Sequence, residues 1–246
     1  MEKNFKLTLS YDGTRWRGWQ KQGNTGSTIQ GKLEDLLGRL FGTPVELSGA
    51  GRTDAGVHAA GQVANFHIDT DMTAEELLRR LRHMLPPDIG LLAVEEVPPR
   101  FHSRLSAIEK TYCYRIWNSE TPNVFLQRYT YQVPAVLDLQ AMQAGADLFL
   151  GTHDFRAFCS NRHYKKSTVR TITAFRIERM GDEVRMTVTG DGFLYNMVRI
   201  LAGTLLEVGL GRRRPEEIPA LLEGRSRPAA GETAPAKGLC LLQVRY

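Results

Sequence analysis

Cysteine is scarce in this chain. There are three, Cys113, Cys159 and Cys240, set far apart and without Cys-x-x-Cys spacing. Such usage excludes a disulfide framework and a cysteine zinc site. Apolar runs of spanning length are missing too, which argues against a membrane-crossing helix. Met1, Glu2, Lys3 and Asn4 lead straight into strand-like sequence, so no signal peptide is read there. His58 and His67 have no third ligand at suitable spacing, so both read as structural rather than as metal ligands. Neither sign of charge dominates. Lys plus Arg is 32 against 27 Asp plus Glu, a net +5 that suits a polyanionic partner without requiring one. The cytoplasm is the expected compartment.

What is present is a globular composition: 42% hydrophobic and 24% charged residues over 246 positions, enough for one large core or two small ones. Phe5 to Tyr11 alternates as a strand. Ser27 and Gln30 have capping-box spacing ahead of the apolar stripe Ile29, Leu33, Leu36, Leu37 and Leu40, which stops at Gly42. Short strands are expected at Val45–Leu47 and Gln62–Ile68. Thr73 and Glu76 start a second helix, and Leu91–Val97 is a strand. The second half repeats this order. Lys110–Trp117 is a strand, and Asp138 caps a helix. Strands 171–180 and 183–189 turn at Gly181-Asp182. A helix runs from about Leu194 to Val208 and is closed by Gly209. Pro215 opens a shorter helix, and Leu239–Val244 is the last strand. The stretch 228–236, rich in Pro, Ala and Gly, reads as a mobile loop. The expected fold is α/β, with two ferredoxin-like βαββαβ halves, residues 1–103 and 104–246.

Core packing does not account for the run from Gly49 to Gly61. It holds four glycines, one carboxylate (Asp54) and one guanidinium (Arg52). Composition alone reads it as a tight turn in which Asp54 accepts from nearby N–H groups. Three basic clusters stand out: Arg15, Arg17 and Lys21 interleaved with Trp16 and Trp19; Arg162, Lys165 and Lys166; and Arg212 to Arg214. Each also reads as a solvated loop.

The run Gly51-Arg52-Thr53-Asp54-Ala55-Gly56-Val57-His58-Ala59 resembles the signature of TruA-type tRNA pseudouridine synthases. The resemblance extends over nearly the whole chain, through Tyr11-Asp12-Gly13, Gly18-Trp19-Gln20, Phe101-His102-Ser103-Arg104, Lys110-Thr111-Tyr112, Gly151 to Phe155, Thr168-Val169-Arg170, Gly192 to Arg199 and Ala234 to Leu239. It departs at Trp16, Leu105, Asn196, Ile200 and Cys240, positions that bear on substrate preference rather than reaction type.

The resemblance implies isomerisation of uridine to its C-glycoside at tRNA positions 38, 39 and 40, in the anticodon stem–loop. It implies no cofactor or metal, a homodimer, and one antiparallel sheet joined across both halves with the catalytic cleft between them. Asp54 is then the essential carboxylate, attacking the ribose or the uracil, or removing a ribose proton. Arg199 is its implied partner. Tyr112 stacks on the flipped uracil and takes the C5 proton, Leu239 lines the pocket, and Arg52 fills the place of the flipped base or grips its phosphate. Arg162, Lys165 and Lys166 are candidate RNA contacts. A non-catalytic RNA-binding protein and a metal-dependent nuclease are the competing readings. The first leaves the Asp54 loop without purpose, and the second lacks clustered carboxylates or histidines.

Overall fold

Period-two alternation in strand β1 (Glu2–Tyr11) buries Phe5, Leu7 and Leu9 on one face. The structure is a computed structural model describing residues 2–23, 25–161 and 163–246; Arg162 therefore lies outside the described residues. The chain divides into two compact units, Met1–Ile108 with Leu241–Tyr246, and Glu109–Cys240.

In the first unit β1 lies between β3 (His58–Asp69) and β4 (Ile89–Val97), antiparallel to both. The short β2 (Ser48–Gly49) pairs with β3 on its other side. Helices α1 (Ile29–Phe41) and α2 (Ala74–Met84) complete the unit. The order β4-β1-β3-β2 is that of a split βαβ half, as expected from the sequence.

Two details of the first unit differ from expectation. The N-cap of α1 is Thr28, which accepts the Gly31 N–H, so Ser27 is not the cap. Gln30 is buried and turns inward, donating to the Leu47 carbonyl at 2.9 Å and to Glu34 Oε1 at 3.0 Å. Glu34 Oε1 also accepts the Leu47 N–H. Both backbone groups of Leu47 are thereby taken by side chains, which moves the strand from 45–47 to Ser48–Gly49. Gly42 ends α1 at φ +71°, and Thr73 caps α2 by accepting the Glu76 N–H, both as expected.

In the second unit β5 (Glu109–Trp117) pairs with β9 (Glu183–Gly190), β9 with β8 (Val169–Met180), and β8 with β7 (Gly151–Asp154), all antiparallel. The two-residue β6 (Tyr131–Gln132) runs parallel to β5, an exception to the expected antiparallel arrangement. Helices α3 (Leu139–Asp147), α4 (Met197–Gly209) and α5 (Ile218–Gly224) follow the expected order. The final strand β10 (Leu239–Arg245) contributes Leu239 and Cys240 here and its remainder to the first unit. The α/β class is borne out.

Helix α4 starts at Met197, later than expected, because Asn196 sits at φ +63° in the left-handed region. It continues through Gly209, and the left-handed residue after it is Gly211 at φ +69°. Gly209 serves packing instead, since a Cβ there would lie 2.5 Å from Met142 Sδ of α3. The stretch 228–236 is not the loose loop its composition suggests. Ala230 and Ala234 are buried, and the Gly231 N–H donates to Thr204 Oγ1 at 3.0 Å. It forms a strap over α4, and a Cβ on Gly203 would run into the Glu232 carbonyl oxygen. Small residues let two backbones touch, which composition alone mistakes for looseness.

Candidate active site

The Asp54 loop leaves β2 and re-enters the sheet at β3. Its flanks are held from below by a buried polar network. Tyr11, at the end of β1, shares a hydrogen bond with Thr53 Oγ1 at 2.8 Å. Gln62 of β3, fully buried, donates through Nε2 to the Gly51 carbonyl at 2.9 Å and to the Tyr11 hydroxyl at 3.3 Å. The Trp19 N–H donates to the Thr53 carbonyl at 2.9 Å, and a Cβ on Gly18 would sit 2.7 Å from that same oxygen. Residues 51 and 53 are thus fixed, while Arg52 is exposed and Asp54 half-buried. This explains the alternation of polar and small residues in the loop. Buried polar atoms must be satisfied, and every partner here is a group of the fold itself.

His58 is buried, and its Nδ1 accepts the Gly13 N–H at 3.1 Å, with Asp12 Oδ1 3.3 Å from the same nitrogen. A ring nitrogen that accepts a backbone N–H is not at the same time a donor to the carboxylate, so we read the hydrogen bond as the real contact and the Asp12 approach as proximity. His67 is exposed.

In the second unit, β5 is buried on both faces, with Tyr112, Cys113, Tyr114 and Ile116 all nearly inaccessible. Tyr112 pairs in register with Val188 of β9 and stands T-shaped to Phe193, ring centroids 5.2 Å apart and planes at 80°. Tyr114 is a structural residue. Its hydroxyl donates to the Pro235 carbonyl at 2.8 Å, and burial pushes its phenol well above the usual range against the pull of the nearby Arg199 charge. Arg199, in the first turn of α4, donates through Nε to the Ala234 carbonyl at 2.7 Å and through a terminal nitrogen to Asn196 Oδ1 at 3.0 Å. The strap therefore holds Arg199 at Ala234 and β5 at Pro235. Leu239 is buried just beyond it.

Some side chains of the basic clusters are held in ion pairs, although Arg15 and Lys21 among them are also exposed. Arg15 is bound to Asp88 at 2.8 Å, Lys21 to Glu34 at 2.8 Å and Arg213 to Glu207 at 2.9 Å. Arg17, Lys165, Lys166 and Arg212 are exposed. Among the described residues, no three His, Cys, Asp or Glu side chains converge as a metal site, and no helix is long and apolar enough to cross a membrane. Arg52 and Asp54 belong to the first unit; Tyr112, Lys165, Lys166, Arg199 and Leu239 belong to the second. Sequence reading gave no site role to Tyr11, Gln62 or Phe193, and took Asn196 only as a departure from the family pattern. The first two were hidden inside strands as ordinary alternation. Asn196 had one usable signal, an Asn just ahead of a helix.

A family model described as tRNA pseudouridine synthase matches residues 8–105 and 146–246. The chain is 48% identical over 244 residues to tRNA pseudouridine synthase A of Acetivibrio thermocellus, covering 99% of this chain and 100% of that protein. It is 45% identical over 243 residues to tRNA pseudouridine synthase A of a Bacillus species (strain KSM-64), covering 99% of each. It is also 45% identical over 247 residues to tRNA pseudouridine synthase A 2 of Clostridium tetani, covering all of both chains.

Proposed function

We propose, from the premise that this chain belongs to the tRNA pseudouridine synthase family, that it isomerises uridines 38, 39 and 40 in the anticodon stem–loop with Asp54 as its essential carboxylate. The family reaction, uridine to pseudouridine in tRNA, breaks the bond from N1 to C1′ and makes one from C5 to C1′. C5 loses a proton and N1 gains one, so the change is redox-neutral.

The observation that carries the reading is the Asp54 loop. Its signature residues are intact, and its flanking residues 51 and 53 are pinned by Gln62 and Tyr11 while Asp54 itself is only half-buried. Held flanks fix where the carboxylate stands, which is what a nucleophile or base requires. Arg199 is its proposed partner. A guanidinium favours the ionised carboxylate, and two of the three Arg199 nitrogens are already fixed by Ala234 and Asn196.

Tyr112 is the proposed stacking ring and C5 base, with Leu239 lining the pocket. Arg52, exposed beside Asp54, is suited to replace or grip the extracted nucleotide. Lys165 and Lys166, with Arg162, are proposed RNA contacts. The family resemblance also supports a homodimer acting in the cytoplasm, and sedimentation of the pure protein checks the dimer.

The test is to map pseudouridine in a tRNA transcript after incubation with wild type and with Asp54→Asn. We expect modification at 38–40 by wild type. Asp54→Asn should bind tRNA normally and turn over at less than about a hundredth of the wild-type rate. Modification elsewhere in the tRNA would refute the positional assignment, and an active Asn variant would refute the role of Asp54.

A further inference from the structure

Asn196 is the residue whose geometry the mechanism above does not use. It holds φ +63°, one of two non-glycine residues in the left-handed region among those described. An Asn at a helix N-cap ordinarily accepts a backbone N–H of the first turn, yet this one makes no side-chain cap bond. Its amide is committed elsewhere at both ends. Oδ1 accepts from the Arg199 guanidinium at 3.0 Å, and Nδ2 donates to Ser160 Oγ at 3.1 Å. The amide orientation follows from its partners, because a guanidinium only donates and so must face the oxygen.

The second link reaches the basic segment. The Ser160 N–H donates to the Tyr195 carbonyl at 3.1 Å, so residues 195 and 196 hold Ser160 by backbone and side chain together. Lys165 and Lys166, five and six positions later in the sequence, are exposed. Tyr164 is anchored in turn, with its carbonyl accepting from Arg156 at 3.0 Å and its hydroxyl from Arg170 at 3.3 Å.

We propose that Asn196 is a positioning residue. Its amide fixes the Arg199 guanidinium and ties it to the base of the 160–167 segment, so that the orientation of Arg199 depends on how that segment is held when RNA engages it. The strained backbone is consistent with this role. In this conformation the side chain makes no cap bond to the first turn and bonds Arg199 and Ser160 instead. The inference rests on the proposed role of Arg199.

The test is a double-mutant cycle in the full-length protein, read by single-turnover isomerisation of a tRNA transcript, KM and thermal melting. Asn196→Gly accommodates the left-handed backbone and removes both amide bonds. We expect kcat to fall about tenfold, as for loss of one hydrogen bond to a charged group, with KM and melting temperature nearly unchanged. In an Arg199→Lys background the same substitution should have no further effect, because the group it positions is gone. An unchanged kcat in the single variant, or an equal fall in both backgrounds, would overturn the proposal. Full activity of Arg199→Lys alone would instead remove the underlying role of Arg199 and the inference with it. Should Asn196→Gly melt early, Ser160→Ala cuts only the second arm. It should lower kcat about threefold, again only where Arg199 is present; no effect there would break the link to the basic segment.

Discussion

A side chain on a buried strand is usually read as core, and Tyr112 shows where that reading loses resolution. It is nearly inaccessible and packed T-shaped on Phe193, so burial alone describes it as well as a catalytic role does. The two contributions separate by substitution. Tyr112→Phe keeps the ring and removes the phenolic oxygen. It should bind tRNA normally yet release almost no tritium from tRNA labelled at uridine C5. Tyr112→Leu should also weaken binding, because an aromatic stack on a base contributes about 1–3 kcal/mol. Wild-type tritium release from the Phe variant would remove the hydroxyl as base. The Asp54 loop was legible in the sequence through its resemblance to a family signature, since its composition alone read as a tight turn. Tyr11 and Gln62 were not, because a strand residue that bonds a loop looks the same as one that fills a core.

At the scale of elements, periodicity located the helices and long strands, and side-chain chemistry moved their ends. Leu47 left its strand because Gln30 and Glu34 claimed its backbone, and α4 started late because Asn196 turned left-handed. Neither effect has a period to read. The strap over α4 is the larger correction, and it makes a prediction. Gly203→Ala places a methyl against the Glu232 carbonyl, so the strap must lift and lose the bond between Gly231 and Thr204. We expect a loss of about 1–3 kcal/mol in denaturant unfolding. A larger relative fall in activity should accompany it, since Ala234 also holds Arg199. Unchanged stability would show that the strap yields freely.

The pairing of β5 with β9 carries an acid-sensitive contact. Glu183 accepts a two-point bond from Arg115 at 2.7 and 2.8 Å and a third from Arg185 at 2.6 Å. The hydrogen bonds from Arg115 above all hold its carboxyl down, from the usual 4.5 to about 2, against its burial. Because the folded value is depressed, this stabilisation is fully present above about pH 4.5 and is lost as pH falls through about 2. Glu183→Gln should flatten the acid limb of the stability curve by an amount on the order of 2–3 kcal/mol, read from urea midpoints across that range. An identical acid limb in both proteins would show that other carboxylates set it.

On the scale of the whole molecule, charge matters more than contact. Several arginines and lysines that composition offers to a polyanion are already neutralised, Arg15 by Asp88 and Arg213 by Glu207 among them. The count of 32 Lys and Arg therefore overstates the unpaired cations on offer to a polyanion. Binding to tRNA should weaken steeply with salt. Neutralising Lys165 and Lys166 together with Arg162 should reduce the slope of log affinity against log salt by about 2–3. Neutralising Arg15 and Arg213 should leave it nearly unchanged, and a slope that responded equally to both sets would show that the ion pairs open on binding.

The last strand gives the protein a peculiar birth order. Residues 1–108 are synthesised first, yet the unit they build also contains Leu241–Tyr246, which are made more than a hundred residues later. Until those residues emerge, the Tyr246 hydroxyl cannot reach the Ser103 carbonyl, and Arg245 cannot accept the Ile108 N–H. Part of the β3 edge stands unpaired meanwhile, including Gly61, whose bare Cα lies against the Leu242 carbonyl in the finished chain. An open strand edge invites other chains to pair with it. The nascent polypeptide thus carries an open strand edge until its last residues arrive, an edge that the finished fold covers.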